Sequence, residues 1–224
     1  MTQFAKNHVI VLCVLLLSVA LGSSVYAQDA APSEQVQSFE QALIDMGLVT
    51  SVNMTQSENE ASVTLDWAYV DPLRITLQFT AVNIDPTLLT MSLNRALQLT
   101  DSEGNVFGYQ SLHMNPSTDG DTRTTMVINY YTSAFNPDTS VYMEDYFADR
   151  PDDSVELVFS VQIGGFPLQA WDIAMLPPDN PAFSGLSEGE MLPLIGNFQF
   201  AFAAPVQPAQ IVEVNEQVNA AVLA

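Results

Sequence analysis

Apolar residues recur along this chain at two different spacings. Between Ser33 and Gly47 they stand at Val36, Phe39, Leu43 and Met46, which is one face of a helix. Ser33 is placed to cap that helix, Glu34 lies in its first turn, and Gly47 supplies the residue that ends it. Such a helix reads as a brace on a sheet, because from residue 48 onward the period drops to two. In Ala61 to Val70 the odd positions Val63, Leu65, Trp67 and Tyr69 are apolar and Ser62, Thr64 and Asp66 lie between them. In Leu73 to Ala81 the apolar positions are Leu73, Ile75, Leu77 and Phe79. Both read as half-buried strands. If they form a hairpin with their apolar faces together, odd residues oppose odd ones, which predicts an odd-numbered loop such as Val70-Asp71-Pro72.

Alternation returns in Leu93 to Leu99, Val106 to Met114, Thr124 to Thr132, Ser154 to Ile163 and Asn197 to Ala204. Val155, Leu157, Phe159, Val161 and Ile163 point inward in one of these strands, and Phe198, Phe200 and Phe202 in another. With Leu48 to Met54 and Ile211 to Val214 the count reaches about nine. Many short strands, one N-terminal helix and no strand-helix-strand alternation predict a mainly β, antiparallel β-sandwich. Two stretches break the pattern. Residues 136–153 are acidic and polar, and 166–195 carry Pro167, Pro177, Pro178, Pro181 and Pro193, which a regular strand excludes. Phe166, Trp171, Ile173, Met175, Leu176 and Phe183 make this second stretch a cover over one face or end of the sheet.

Composition narrows the class. The chain is 48% hydrophobic and carries 26 acidic side chains against five basic ones, a formal net charge of −21. That supports a core and excludes nucleic acid as a partner, since a phosphate backbone is held by clustered Lys and Arg. Lys6 and His8, the apolar run Val9 to Leu21 and the small-residue ending Val25-Tyr26-Ala27 read as a secretory signal, the run being shorter than the ~20 residues of a spanning helix. The expected layout is therefore a signal peptide at 1–27, a linker and helix at 28–47, a β-sandwich at 48–218 with its Pro-rich cover at 166–195, and a tail at 219–224. No membrane span is expected after cleavage, and localisation is secreted or extracytoplasmic. Beyond residue 27 there is no cysteine and no lysine, so stability must come from the core.

The segment VTLDWAYVDPLRITLQFTAV at Val63 to Val82 resembles a class of bacterial extracytoplasmic immunoglobulin-like domains of unknown function, found in cell-surface and anti-sigma-factor-like membrane proteins. The turn Asp101 to Asn105, GNFQFAF at Gly196 to Phe202, APVQP at Ala204 to Pro208 and VEVNEQV at Val212 to Val218 are similar to that pattern as well. The resemblance implies an immunoglobulin-like β-sandwich and a protein partner at the cell surface, and carries no catalytic residues.

Candidate chemistries thin out quickly. Gly185-Leu186-Ser187-Glu188-Gly189 matches the G-x-S-x-G pattern of serine hydrolases, but prolines flank it and His113, the one histidine after residue 27, precedes the serine. A structural zinc site needs about four Cys or His ligands, which this stretch lacks. Calcium is the one ligand with candidate residues. Asp101, Glu103 and Asn105 alternate through a turn, Asp119 and Asp121 flank Gly120, and Glu144, Asp145, Asp149, Asp152 and Asp153 cluster in a loop. The competing reading is that Asp, Asn and Gly are ordinary turn residues. Tyr130, Tyr131, Tyr142, Tyr146 and Trp171 are candidates for a glycan-stacking platform, although Tyr130 and Tyr131, being adjacent in a strand, must face opposite ways. The expectation is a non-enzymatic, secreted or cell-surface module for protein contacts or a structural role, without a required cofactor; the alternative is a calcium-dependent or carbohydrate-binding adhesion module.

Overall fold

The computed structural model describes residues 38–117, 122–147, 154–176 and 183–209. The signal segment, Ser33 to Gln37, Ile211 to Val214 and the C-terminal tail lie outside these residues. The first described helix, α1 (Phe39–Asp45), starts at Ser38, whose hydroxyl accepts from the Gln41 amide at 3.2 Å. Gly47, at φ +68°, ends it as expected, with Gly47 N donating to Ile44 O and Leu48 N to Leu43 O.

Nine strands follow: β1 (Thr50–Glu58), β2 (Ala61–Asp71), β3 (Arg74–Val82), β4 (Leu97–Asp101), β5 (Val106–Pro116), β6 (Arg123–Asn136), β7 (Val141–Met143), β8 (Val155–Ile163) and β9 (Gly196–Ala204). They form one antiparallel sheet in the order β1-β2-β3-β6-β5-β4-β8-β9, with β7 paired to β6. The sheet curls until it is nearly a barrel. Phe79 of β3 meets Phe159 of β8 with ring centroids 5.3 Å apart, although β6, β5 and β4 separate them in the sheet. Phe159 in turn stacks on Phe200 of β9.

The closure uses side chains. Gln56 of β1 treats β9 as a peptide would: its Oε1 accepts from Gln199 N at 2.9 Å and its Nε2 donates to Gln199 O. The Glu58 carboxylate accepts from Asn197 N at 2.8 Å and the Asn59 amide donates to Ile195 O at 2.9 Å. Gly196 is required at this seam, since a Cβ there would run into the Glu58 carboxylate and the Phe198 ring. On the other side β4 and β5 share the single pair Thr100 and Val106.

The interior is filled by inward residues of both halves, among them Leu65, Leu77, Phe79, Ile128, Phe159 and Phe200. In β8 the phase is as read from the sequence, with Val155, Leu157, Phe159, Val161 and Ile163 all buried. Phe166, Leu168, Phe183 and Leu192 of the proline-rich stretch join the same core. In β2 the phase differs from the sequence reading. Leu65 opposes Phe79 but Trp67 opposes Gln78, so Asp66 is an extra residue, a β-bulge. Past it the faces exchange: Ala68 and Val70 enter the barrel core, while Trp67 and Tyr69 point outward and pack with Leu43 of α1. The bulge also accounts for the turn, which has two residues, Pro72 and Leu73, between the pair Asp71 and Arg74. An even loop is tolerated because the bulge restores odd-to-odd pairing further along.

Leu93 to Leu99 is a second departure. Pro86–Ala96 is a helix, α2, and β4 begins only at Leu97. Asp85 caps α2, its Oδ1 accepting from Thr87 N at 2.8 Å, and Pro86 fits the first turn, where no amide partner is needed. Leu88, Leu89, Met91 and Leu93 are buried on it. A third short helix, α3 (Ala170–Met175), carries the buried Asp172. No helix among the described residues is long and apolar enough to cross a membrane.

Candidate functional site

Two aspartates organise turns by the same arrangement. At the β2–β3 turn Asp71 Oδ1 accepts from Leu73 N at 2.7 Å and Arg74 N at 2.8 Å, and Oδ2 accepts from the Tyr69 hydroxyl at 2.7 Å. Arg74 Nε lies 3.8 Å from the carboxylate and its guanidinium sits over the Phe39 ring of α1. Burial, and then the Asp71 hydrogen bond and charge, push the Tyr69 phenol well above its ordinary 10.0, with Arg74 opposing.

At the β4–β5 turn Asp101 Oδ1 accepts from Glu103 N at 2.9 Å and Asn105 N at 2.8 Å. Its Oδ2 accepts from the Asn105 amide at 2.6 Å and from the Tyr146 hydroxyl. Asn136 of β6 donates to Asn105 Oδ1 at 2.7 Å. Three of the residues read as calcium candidates, Asp101, Glu103 and Asn105, are thus brought together, with Asp101 and Asn105 buried. The oxygens of Asp101 are already occupied by four hydrogen-bond donors. Asp145 is exposed beside Tyr146, and Asp149 lies outside the described residues, as do Asp119, Asp121, Asp152 and Asp153. Among the described residues no three His, Cys, Asp or Glu side chains are grouped so as to hold a metal ion.

The aromatic candidates separate into three places. Tyr130 is buried in the barrel at 1% exposure, and burial holds its phenol well above the ordinary value. Tyr146 packs edge-on against Phe107 and Phe147. Tyr131, Phe135 and Tyr142 are exposed, at 50%, 42% and 60%, and Tyr142 directly opposes Phe135 across the β6–β7 pair. The Tyr131 ring covers Gly108 of β5. Exposed Asp138, Glu144 and Asp145 lie in the segments that adjoin these aromatics.

Trp171 belongs to a third place, beside Arg95, which lines an open groove of about 560 Å3 on the outer face of β4, β8 and β9; Trp171 itself is not part of that lining. Register aligns Gln98, Ser160 and Gln199 in one row and Gln162 with Asn197 in the next. Arg95, which lines the groove, donates to Pro167 O at 2.9 Å and to the Asp172 carboxylate, between the rings of Phe166 and Trp171. Asp172 also accepts from Gln169 N at 2.6 Å through the same oxygen, and Oδ1 has no partner among the described residues. The groove residues went unnoticed in the sequence as anything but outward strand positions. The available signal is their chemistry: Gln98, Ser160, Gln162, Asn197 and Gln199 are all uncharged and polar.

Ser187 occupies a turn between Gly185 and Gly189, and its amide and hydroxyl both donate to the Glu190 carboxylate, at 3.0 and 3.3 Å. His113 is an exposed residue of β5 opposite Val127. Comparison of the chain with family models, with curated proteins and with solved structures finds no match.

Proposed function

We propose that the protein is an exported, non-enzymatic immunoglobulin-like module that works by holding a partner protein at the cell surface. The exposed aromatics Tyr131, Phe135 and Tyr142, with exposed Asp138, Glu144 and Asp145 in the adjoining segments, carry this reading. An aromatic centre with a charged rim is the usual anatomy of a protein interface. The rim selects the occupant: a partner with apolar pockets and basic groups around them fits, whereas a second copy of this chain would set like charges against each other. The sandwich reading is supported by the weakness of both corners of the sheet, one backbone pair at β4–β5 and side-chain bonds at β1–β9, which divide it into halves whose inner faces meet at Phe79 and Phe159. Export is supported by the segment ending in Val25-Tyr26-Ala27, and predicts a mature N-terminus at Gln28.

The test is a photo-crosslinking amino acid at position 142 in the full chain, expressed in the cells that make it. A discrete adduct is expected at position 142, weakened by salt, lost with Phe135→Asp and absent when the crosslinker sits at Gln162. No adduct, or the same adduct from both positions, overturns the reading.

A further inference from the structure

We propose that the groove on the outer face of β4, β8 and β9 binds an uncharged saccharide chain. This inference rests on the reading of the protein as a contact module and assigns it a second ligand, on a surface separate from Tyr131, Phe135 and Tyr142. The groove's volume of about 560 Å3 falls within the range of roughly 300–1,000 Å3 common to small-ligand sites.

The lining chooses among ligand classes by charge. A cationic ligand requires carboxylates, and none lines the groove, although the chain carries 26 acidic side chains. An anionic ligand requires an available cation, and the one basic residue of the lining, Arg95, is already bound to Asp172 and to Pro167 O. An uncharged polyhydroxylated ligand fits what remains. Gln98, Ser160 and Gln199 cross three strands in a row roughly 10 Å long, with Gln162 and Asn197 beside them. Amide and hydroxyl groups both donate and accept, as the neighbouring hydroxyls of a sugar ring do. The side chains of Gln98, Ser160, Asn197 and Gln199 make no hydrogen bond among the described residues, and Gln162 uses only its Nε2, donating to Gly164 O at 2.9 Å.

The Arg95 side chain of the lining is fastened by its neighbours. The Arg95 guanidinium lies 4.6 Å from the Phe166 ring centroid and 5.0 Å from that of Trp171, and the indole N–H is held by Gln169 Oε1 at 2.6 Å. Trp171 remains 43% exposed in this fixed position. The backbone is equally constrained: β9 is tied to β1 by the Gln56 bonds to Gln199, so its outward side chains are presented on a supported strand.

The experiment titrates the full chain by calorimetry with soluble neutral oligosaccharides, namely β-1,4-linked glucose, β-1,4-linked N-acetylglucosamine, α-linked mannose and dextran oligomers, with an oligogalacturonate as anionic control. Backbone amide NMR shifts are mapped on the unmodified protein, so the result does not depend on a variant folding. At least one neutral oligomer is expected to bind, with shifts centred on β4, β8 and β9. Gln98→Ala and Gln199→Ala should each weaken it about tenfold, or about 1.4 kcal/mol. Tyr142→Ala should leave it unchanged. Absence of binding across the neutral set, equal binding of the anionic oligomer, or shifts on β6 and β7 overturn the proposal. Binding with cleavage of the oligomer, seen as shortened products, instead overturns the non-enzymatic reading and leaves the site standing; a crosslink at position 142 without any saccharide binding does the reverse.

Discussion

The turns at Asp71 and Asp101 use one design in two settings. In each, one carboxylate oxygen gathers two backbone amides and the other takes a tyrosine hydroxyl. The Asp71 turn is local: its tyrosine is two residues away, Leu73 and Arg74 reach solvent, and Arg74 supplies a compensating cation. The Asp101 turn is long-range. Its tyrosine comes from 45 positions later in the chain, and Asn136 of β6 joins through Asn105. The difference teaches that an acidic turn in the sequence says nothing about an ion until the donors around it are counted, because hydrogen bonds from N–H and O–H groups can use up the oxygens that a cation would need.

The largest expected effect follows from that count. Asp101→Ala would remove the acceptor of the Glu103 and Asn105 backbone amides, the Asn105 side-chain amide and the Tyr146 hydroxyl, of which Asn105 and Tyr146 are buried, and each unmet buried donor costs about 1–3 kcal/mol. A loss of roughly 3 kcal/mol or more is expected in urea unfolding. Asp71→Ala should cost clearly less, since its two amides can turn to water. Equal losses would break the comparison.

The tyrosines give the next effect. Tyr146→Phe should cost about 1–2 kcal/mol and raise hydrogen exchange at 144–147, because the hydroxyl adds a bond to the turn beyond the ring packing on Phe107 and the β6–β7 pairing. Tyr69→Phe should cost less, and its signature lies in alkali. Since folding raises the Tyr69 phenol's pKa, the native state keeps a proton that the unfolded chain gives up above about pH 10. Stability contributed by this group is therefore full below pH 10 and falls as pH climbs past it. Tyr69→Phe should flatten that fall in an alkaline unfolding series, whereas Tyr130, whose phenol is also raised, remains as the background.

These contrasts show where the sequence was readable. β8 and β9 were legible residue by residue because unbroken alternation, with Phe159 and Phe200 inward, leaves one choice of face. The adjacent Tyr130 and Tyr131 do point to opposite faces. The phase of Trp67 was not legible, because the alternation of letters runs straight through Asp66 while the backbone there inserts a bulge. Residues 93–96 have the period of a strand, whereas Asp85-Pro86 marks the start of the helix that contains them. The Asp101 cluster was visible as a list of acidic residues, but Tyr146 and Asn136, which decide its chemistry, reach it only through the fold. The groove was invisible for the same reason. Gln98, Ser160 and Gln199 converge only because β4 lies beside β8 and β8 beside β9.

Calcium sharpens the comparison with a smaller expected effect. If Asp101, Glu103 and Asn105 bound the ion as a site, a hundredfold excess over Kd would add about 2.7 kcal/mol, and magnesium would not match it. With the Asp101 oxygens accepting from four donors, the expected result is a modest rise in melting temperature that calcium and magnesium share, from screening of 26 carboxylates. A calcium-specific rise that Asp101→Asn abolishes would reverse this conclusion, and one abolished by Asp149→Asn would move the site to the acidic loop.

A third aspartate supplies the smallest effect and the cleanest contrast with the two turns. Asp66, the bulged residue of β2, is half-buried on the outer face, and its hydrogen bonds come from side chains alone, Thr80 Oγ1 at 2.8 Å and Gln78 Nε2 at 3.4 Å. Desolvation outweighs these bonds and the charge of Arg123, so its carboxyl is raised above the ordinary 3.8. The native state then binds a proton more tightly than the unfolded chain does. Stability from this group is accordingly present at low pH and lost as pH rises from about 3.8 through the raised value. Asp66→Asn keeps the shape and removes the charge. It should leave stability unchanged near pH 3 and raise it slightly at pH 7, read as an upward shift of the urea midpoint across a pH series. A downward shift at pH 7 would mean that Thr80, Gln78 and Arg123 hold the carboxylate better than burial penalises it, placing Asp66 with Asp71 and Asp101 as an organising acid.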